Sequence, residues 1–257
     1  MAGDAHHYLD RFRLDGRTAL ITGASRNIGA AISRAFASAG ANLIINARQP
    51  EPLARLADEL RSEYAIEAIP IAADLGQPSE RARLIDEAQR RAAAIDILVN
   101  NATASGRGGG LETSAEQWAA AVEMNVLAPA ELCRAFVPAM RARGRGTVIN
   151  VLTSAAFTVI PPMVAYAATK SALWTMTRYL ARECAPEVRV NAISPGTVQE
   201  GGGLKVPSWA KLVPLTALGR VGEPDELACA ALFLASDASS YTTGEVIFVD
   251  GGRVMTG

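Results

Sequence analysis

The sequence predicts a single doubly wound α/β domain, a parallel seven-stranded sheet with helices on both faces. Three observations predict it. Seven short apolar runs recur along the 257 residues: TALIT at 18–22, NLIIN at 42–46, IEAIPI at 66–71, IDILVN at 95–100, TVINVL at 147–152, VRVNAIS at 188–194 and EVIFVD at 245–250. Several are apolar at consecutive positions, which suits strands covered on both faces by helical layers. The segments between them carry apolar residues at helical spacing, so strand and helix alternate from about residue 14 to 252.

In chain order, residues 1–13 read as a polar N-terminal surface arm, and the adjacent His6 and His7 supply too few ligands for a metal site. The first strand runs into TGASRNIG, residues 22–29, which opens a helix with Ile28, Ile32, Ala35 and Ala39 on one face. Such a strand-to-helix turn aims free N–H groups beyond the sheet, and small residues let a pyrophosphate approach the positive helix end. Gly23 and Gly29 fit that role, with Ser25, Arg26, Asn27 and Ile28 between them. The second strand ends in Asn46, Ala47 and Arg48. Ala47 stands where a carboxylate would hold the ribose hydroxyls of NAD. The Arg48 guanidinium is instead a bidentate fork for phosphate, and Arg26 across the turn adds a second positive charge, so NADP(H) is favoured over NAD(H). Pro50, Glu51 and Pro52 start the next helix, whose Leu53, Leu56 and Leu60 form its apolar face.

The third strand leads to Asp74 and Leu75, and the fourth to Asn100, Asn101, Ala102 and Thr103. All lie beyond C-terminal strand ends, where open α/β sheets bind ligands. Arg107, in the glycine-rich SGRGGG stretch, reads as a solvated side chain rather than an anion site, and Asn125 sits in a helical segment. Thr153 and Ser154 follow the fifth strand. Tyr166 and Lys170, four residues apart in a strongly helical segment, share one face. A tyrosine titrates near about 10 and is a poor acid–base group near neutrality unless a fixed ammonium stabilises its phenolate. A hydroxyl from Thr153 or Ser154 can strengthen its hydrogen bond as negative charge develops on a carbonyl oxygen. Pro195, Gly196 and Val198 follow the sixth strand, and residues 197–218, rich in glycine and proline, read as a substrate lid. Phe157, Val159, Ile160, Pro161, Pro162 and Met163, with Leu204, Val206 and Trp209 of the lid, suggest an apolar pocket wall.

Taken together these motifs resemble the short-chain dehydrogenase/reductase family, in its 3-oxoacyl-ACP-reductase-like branch. TGASRNIG is similar to the family's TGxxxGxG, with Asn27 at the middle glycine. Asn100, Asn101 and Ala102 are similar to its NNAG, with Thr103 at the glycine, and residues 219–252 to its terminal helix and strand. The likeness spans nearly the whole chain. It implies a Rossmann-like sheet in the order 3-2-1-4-5-6-7, and hydride transfer between nicotinamide and a carbonyl or secondary alcohol, with Tyr166 giving or taking the proton. It further implies that Asp74 binds the adenine edge and that Lys170 reaches the nicotinamide ribose. Asn125 would bend its helix and hold a water that relays protons to Lys170, and the loop of Pro195, Gly196 and Val198 would face the carboxamide. The family's catalytic serine aligns with Thr153 without gaps and with Ser154 after a shift of one residue, so both stand. Glu200 replaces a phosphate-facing threonine, and that contact is not carried over. The family's enoyl reductases resemble a wider tyrosine-to-lysine spacing. Homotetramers, built on the helices of the catalytic residues and on the last strand, or homodimers are expected.

Composition narrows what remains. With 49% hydrophobic and 20% charged residues the core can be large. A net charge of −1 with scattered basic residues leaves no footprint for nucleic acid. No run approaches the roughly 18 apolar residues of a membrane span, and the polar start lacks a secretory core, so a cytoplasmic protein is expected. Cys133, Cys184 and Cys229, in alanine-rich helical patterns, read as reduced, packed thiols with no metal. The expectation is one NAD(P)-binding domain over residues 1–257 acting on a small molecule with an apolar part. An NAD-linked alcohol dehydrogenase on the same fold and a non-catalytic cofactor-binding protein are the alternatives, the latter disfavoured by intact Tyr166, Lys170 and Asn125.

Overall fold

The structure, a computed structural model, describes residues 8–104, 110–199 and 207–256. The strands β1 (Thr18–Thr22), β2 (Asn42–Ala47), β3 (Ala68–Ala72), β4 (Ile97–Asn100), β5 (Gly146–Val151), β6 (Val188–Pro195) and β7 (Val246–Val249) form one sheet. Its order is β3-β2-β1-β4-β5-β6-β7, and every neighbouring pair is parallel, as expected. The direction of winding reverses between β1 and β4, and a crevice opens there beyond the C-terminal strand ends.

Alternation along each strand divides the core in two. Ile21, Ile45, Val99, Ile149 and Ile193 pack under α1 (Asn27–Ser38), α2 (Pro50–Tyr64) and α7 (Pro224–Ala235). Leu20, Ile44, Leu98, Val148 and Val190 pack under α3 (Pro78–Arg91), α5 (Ala128–Ala142) and α6 (Val164–Cys184). Each fully buried side chain of this size contributes about 1.5–3 kcal/mol, so both faces are strongly held. α2 begins with Pro50 in its first turn, and its Leu53, Leu56 and Leu60 are buried as their spacing predicts.

α4 (Ala115–Val122), opened by a Ser114–Gln117 capping box, runs into a π-turn at Glu123–Leu127 before α5. The wider turn is pinned by a buried arginine. Arg81, 1% exposed, donates to Glu123 at 2.8 Å, to Glu131 at 2.6 Å and to the Leu75 carbonyl at 2.6 Å. One guanidinium thereby joins the loop after β3 to the π-turn and to α5.

Two segments gain detail that the sequence did not specify, and one expectation needs correction. The described end of the N-terminal arm is docked: Arg11 donates to the Asp237 carbonyl at 2.9 Å and Phe12 meets Phe233. His6 and His7 lie outside the described residues. Cys133 and Cys184 are buried, but Cys229 is exposed on the outer side of α7 rather than packed. In the expected lid, Pro207–Leu215 is a 3-10 helix, because the prolines there start and interrupt helical backbone instead of excluding it. Leu204 and Val206, the side chain of Trp209, and Arg107 lie outside what is described. Among the described residues no helix is long and apolar enough to cross a membrane.

Candidate active site

The turn between β1 and α1 is shaped by what its backbone must do. Gly23 has φ +64°, and a Cβ there would lie 2.9 Å from Ala102 Cα; a Cβ on Gly29 would collide with the Gly23 carbonyl oxygen. Asn27 adopts φ +51°, a left-handed conformation that asparagine tolerates better than most residues, so the turn keeps its path without the middle glycine. Asn101 ties this turn to β4, its Nδ2 donating to the carbonyls of Thr22 at 2.9 Å and Gly23 at 3.1 Å. Thr22 Oγ1 accepts from the backbone of Asn101 at 3.0 Å and Ala102 at 3.1 Å.

The predicted residues Gly23, Ser25, Arg26, Asn27, Ile28 and Gly29 line one cleft of about 390 Å3, joined by Arg48, Leu75, Asn101 and Ala102. Asn46, Thr103 and Met124, which the motif reading did not assign to it, also face the cleft. Asp74 is not on its wall: the carboxylate accepts the Gly76 N–H at 3.0 Å and shapes its own loop. Pro195 at the end of β6, and Gly196 and Val198 after it, lie apart from the cleft; a Cβ on Gly196 would sit 2.8 Å from Asp250 Cα. The lining suits the phosphate-bearing half of a dinucleotide. Arg26, the N-cap of α1, offers no side-chain cap, so the first N–H groups of the helix are open to an anion. Neither the Arg26 nor the Arg48 guanidinium has a side-chain partner among the described residues, and the two stand on the same cleft.

The other polar groups gather where β5 meets α6. Tyr166 is half-buried, and the hydroxyls of Thr153 and Thr103 act on its phenol. Of the two candidate hydroxyls, Thr153 is thus the one that acts on the phenol. Ser154 is buried at the start of a 3-10 turn that its carbonyl closes by accepting the Phe157 N–H at 3.0 Å. Lys170, one turn after Tyr166, is 1% exposed; its Nζ donates to the Val151 carbonyl at 2.6 Å and lies 6.0 Å from the centre of the Tyr166 ring. Burial pushes the Lys170 amine down to about 7. Burial also raises the Tyr166 phenol above its ordinary value, and the two threonine hydroxyls offset only part of that rise. The expectation that a nearby ammonium lowers the phenol therefore fails for the protein alone, because the lysine is itself too poorly solvated to stay fully charged near neutrality.

Asn125 lies in the π-turn with no exposed surface. Its Oδ1 accepts from Thr103 Oγ1 at 2.9 Å and Ala104 N at 3.0 Å, and its Nδ2 donates to Ala104 O and Thr169 Oγ1, each at 3.0 Å. The side chain is fully satisfied, leaving nothing over for the expected water; only its backbone could take that role. Asn100 points away from the cleft, donating to Asn150 Oδ1 at 2.8 Å, and Asn150 donates to Thr177 at 2.8 Å. The expected apolar wall does line a pocket of about 760 Å3, including Phe157, Val159 and Ile160. On the α6 side, however, that pocket is lined by Ala167, Ala168 and Ser171, a different side of the helix from Tyr166 and Lys170.

Residues 23–253 match the family model described as Enoyl-(Acyl carrier protein) reductase. Galactitol 2-dehydrogenase (L-tagatose-forming) of Cereibacter sphaeroides is 41% identical over 255 residues, spanning 96% of this chain and 99% of its own. The chain belongs to the short-chain dehydrogenase/reductase family. It is an NAD(P)-dependent oxidoreductase. Its fold matches a gluconate 5-dehydrogenase of Burkholderia cenocepacia solved with NADP and tartrate, at TM-score 0.89 and 36% identity over 97% of this chain and 99% of that one. A 7 alpha-hydroxysteroid dehydrogenase solved with NADH and 7-oxo glycochenodeoxycholic acid matches at TM-score 0.88 and 31% identity, over 95% and 96% of the two chains. Family members of this shape have thus been solved with either dinucleotide.

Proposed function

We propose that this family member is an NADPH-dependent reductase of a carbonyl to a secondary alcohol, or the catalyst of the reverse reaction, with Tyr166 as general acid and base. The grouping of Thr153, Tyr166 and Lys170 where β5 meets α6, near the cleft that holds Arg26 and Arg48, carries this reading. The bound cofactor supplies or accepts the hydride. Thr153 donates to the carbonyl oxygen, more strongly as that oxygen gains charge. Tyr166 gives the oxygen its proton, and Lys170, anchored on Val151, offers positive charge beside the phenolate whenever it is protonated. A tyrosine and lysine four residues apart favour C=O over enoyl chemistry. Ser25, Ile28 and Leu75 line the cleft with the arginines, and Pro195, Gly196 and Val198 would face the carboxamide as family positions.

The preference for NADPH rests on Arg26 and Arg48, which stand on one cleft without side-chain partners among the described residues, and on the missing carboxylate at Ala47. For the substrate, similarity to the galactitol and gluconate enzymes favours a polyhydroxylated molecule over an apolar one, as does the turning of the apolar pocket away from Tyr166. Apolar side chains exposed on the helices, Val122 and Val164, and on the last strand, Phe248, support a homotetramer or homodimer. Unbridged thiols in the core, Cys133 and Cys184, go with a cytoplasmic setting.

Tyr166→Phe should fold, bind NADPH and lose turnover by at least about a hundredfold. The test is a panel of keto sugars, polyols, 3-oxoacyl thioesters and hydroxysteroids with each cofactor. Wild-type-like turnover by the variant on any of them would end the tyrosine mechanism.

A further inference from the structure

Thr153 owes the place of its hydroxyl to a short chain of hydrogen bonds that begins on α6. The Ala155 N–H donates to Thr153 Oγ1 at 3.3 Å and the Ala156 N–H to the Thr153 carbonyl at 3.0 Å, so the 3-10 turn Ser154–Ala156 closes on the threonine. The Ala156 carbonyl in turn accepts from Ser171 Oγ at 3.1 Å. Ser171 follows Lys170 directly in the helix that carries Tyr166. A serine inside a helix often gives its proton to the carbonyl four residues earlier. Ser171 reaches that carbonyl as well, Ala167 O at 3.0 Å. Its one proton therefore lies between two acceptors on different elements, and the contact to Ala156 is the one that joins helix to turn.

We propose that Ser171 is a positioning residue for the reaction: by holding the Ala156 carbonyl against α6, it fixes Thr153 Oγ1 relative to Tyr166 on the same helix. Because Ala155 supplies the proton of its bond to Thr153 Oγ1, the threonine keeps its own proton to give to a substrate oxygen. Such a donor works only where it is aimed at the oxygen that gains charge, and a misplacement of about 1 Å can cost about a hundredfold in rate. Phe157, the next residue, packs edge-on against Phe248 of β7 with ring centres 4.7 Å apart. That contact anchors the end of the turn to the last strand, but apolar packing is without direction and does not orient the peptide groups inside the turn. Their orientation falls to Ser171. The serine lines the apolar pocket, on another side of α6 from Tyr166, and acts on the reaction only through Thr153.

The inference rests on Thr153 and Tyr166 acting as proposed above, and half of its test needs no turnover. Ser171→Ala removes the hydroxyl. Ser171→Thr keeps it, since a helical threonine also bonds a preceding carbonyl, and the pocket beside it has room for a methyl group. In the cofactor-free protein, amide hydrogen exchange at Ala155 and Ala156 should quicken about fivefold in Ser171→Ala and stay near wild type in Ser171→Thr, with the amides of β5 unchanged. With NADPH and whichever keto sugar, 3-oxoacyl thioester or oxosteroid the protein turns over, Ser171→Ala should lower kcat about tenfold and leave the KM for NADPH alone. In a Thr153→Ala background the same substitution should cost nothing further, because the group it positions has gone. An equal loss of kcat with and without Thr153 overturns the proposal, as does exchange at Ala155 and Ala156 that ignores the serine. Failure of the proposed function looks different, as a Tyr166→Phe protein that turns over like wild type while its turn still responds to Ser171.

Discussion

A lysine shut away from water beside a single carbonyl is costly while charged, and Lys170 turns that cost into a dependence on pH. Its amine titrates at about 7 in the fold against 10.5 for an ordinary lysine. Between those values the unfolded chain holds the extra proton, so stability rises with pH by up to about 1.4 kcal/mol per unit. Below about 7 both states are protonated and the slope vanishes. Tyr166 acts oppositely: its raised phenol keeps its proton longer in the fold, so above the ordinary value of 10 stability falls. Urea midpoints of the cofactor-free protein should climb from about pH 7 towards 10.5, and Lys170→Met should flatten the climb. An unaltered slope in the variant would show that another group is responsible. Tyr166 and Lys170 were legible in the sequence because a spacing of four fixes one helical face whatever surrounds it. Thr103 was legible only as a departure from a motif. Its hydrogen bond to Asn125 depends on the loop after β4 folding against the π-turn, and no local pattern encodes that contact.

Arg81 shows the same limit among the secondary-structure elements. In SERARLIDEAQRR it reads as one charge among many on a solvated helix, yet it is fully buried and pins the loop after β3, the π-turn and α5. The π-turn, closed by the Ala128 N–H reaching Glu123 O, interrupts a helical periodicity that continues on either side of it. The elements that were legible, β1 and the leucine face of α2 among them, are those whose burial follows their own local period. Arg81→Met preserves most of the volume but leaves the Leu75 carbonyl and two carboxylates without their partner. Removing one member of a fully buried pair costs about 3–5 kcal/mol. Glu123 and Glu131 keep 27% and 35% of their side-chain surface, so water can reach them and about 2–3 kcal/mol is expected. Denaturant midpoints would measure it. Because Leu75 lines the cofactor cleft, dinucleotide affinity should weaken several-fold as well; a variant as stable as wild type would deny Arg81 its bracing part.

At the scale of the whole molecule, the strand order brings two distant parts of the chain to one crest. In the proposed function, the turn at residues 23–29 and the end of β2 supply the phosphate-facing side, while the end of β5 and α6, far later in the chain, supply the acid–base side. A dinucleotide spanning both binds only the folded chain. Bound ligand therefore adds stability as RT ln(1 + [L]/Kd), about 2.7 kcal/mol at a hundredfold excess over Kd. If Arg26 and Arg48 read the phosphorylated ribose as proposed, NADPH should raise the melting temperature more than NADH at equal concentration. A charged hydrogen bond is worth about 1.5–3 kcal/mol, so each guanidinium should separate the two affinities by roughly tenfold or more at low salt. Both arginines are exposed, and rising ionic strength should narrow the gap. Arg48→Asp should reverse the order by repelling the phosphate and offering the ribose hydroxyls a carboxylate. Equal melting shifts from the two cofactors in the wild-type protein, unchanged by salt, would mean that the paired arginines do not read the phosphate.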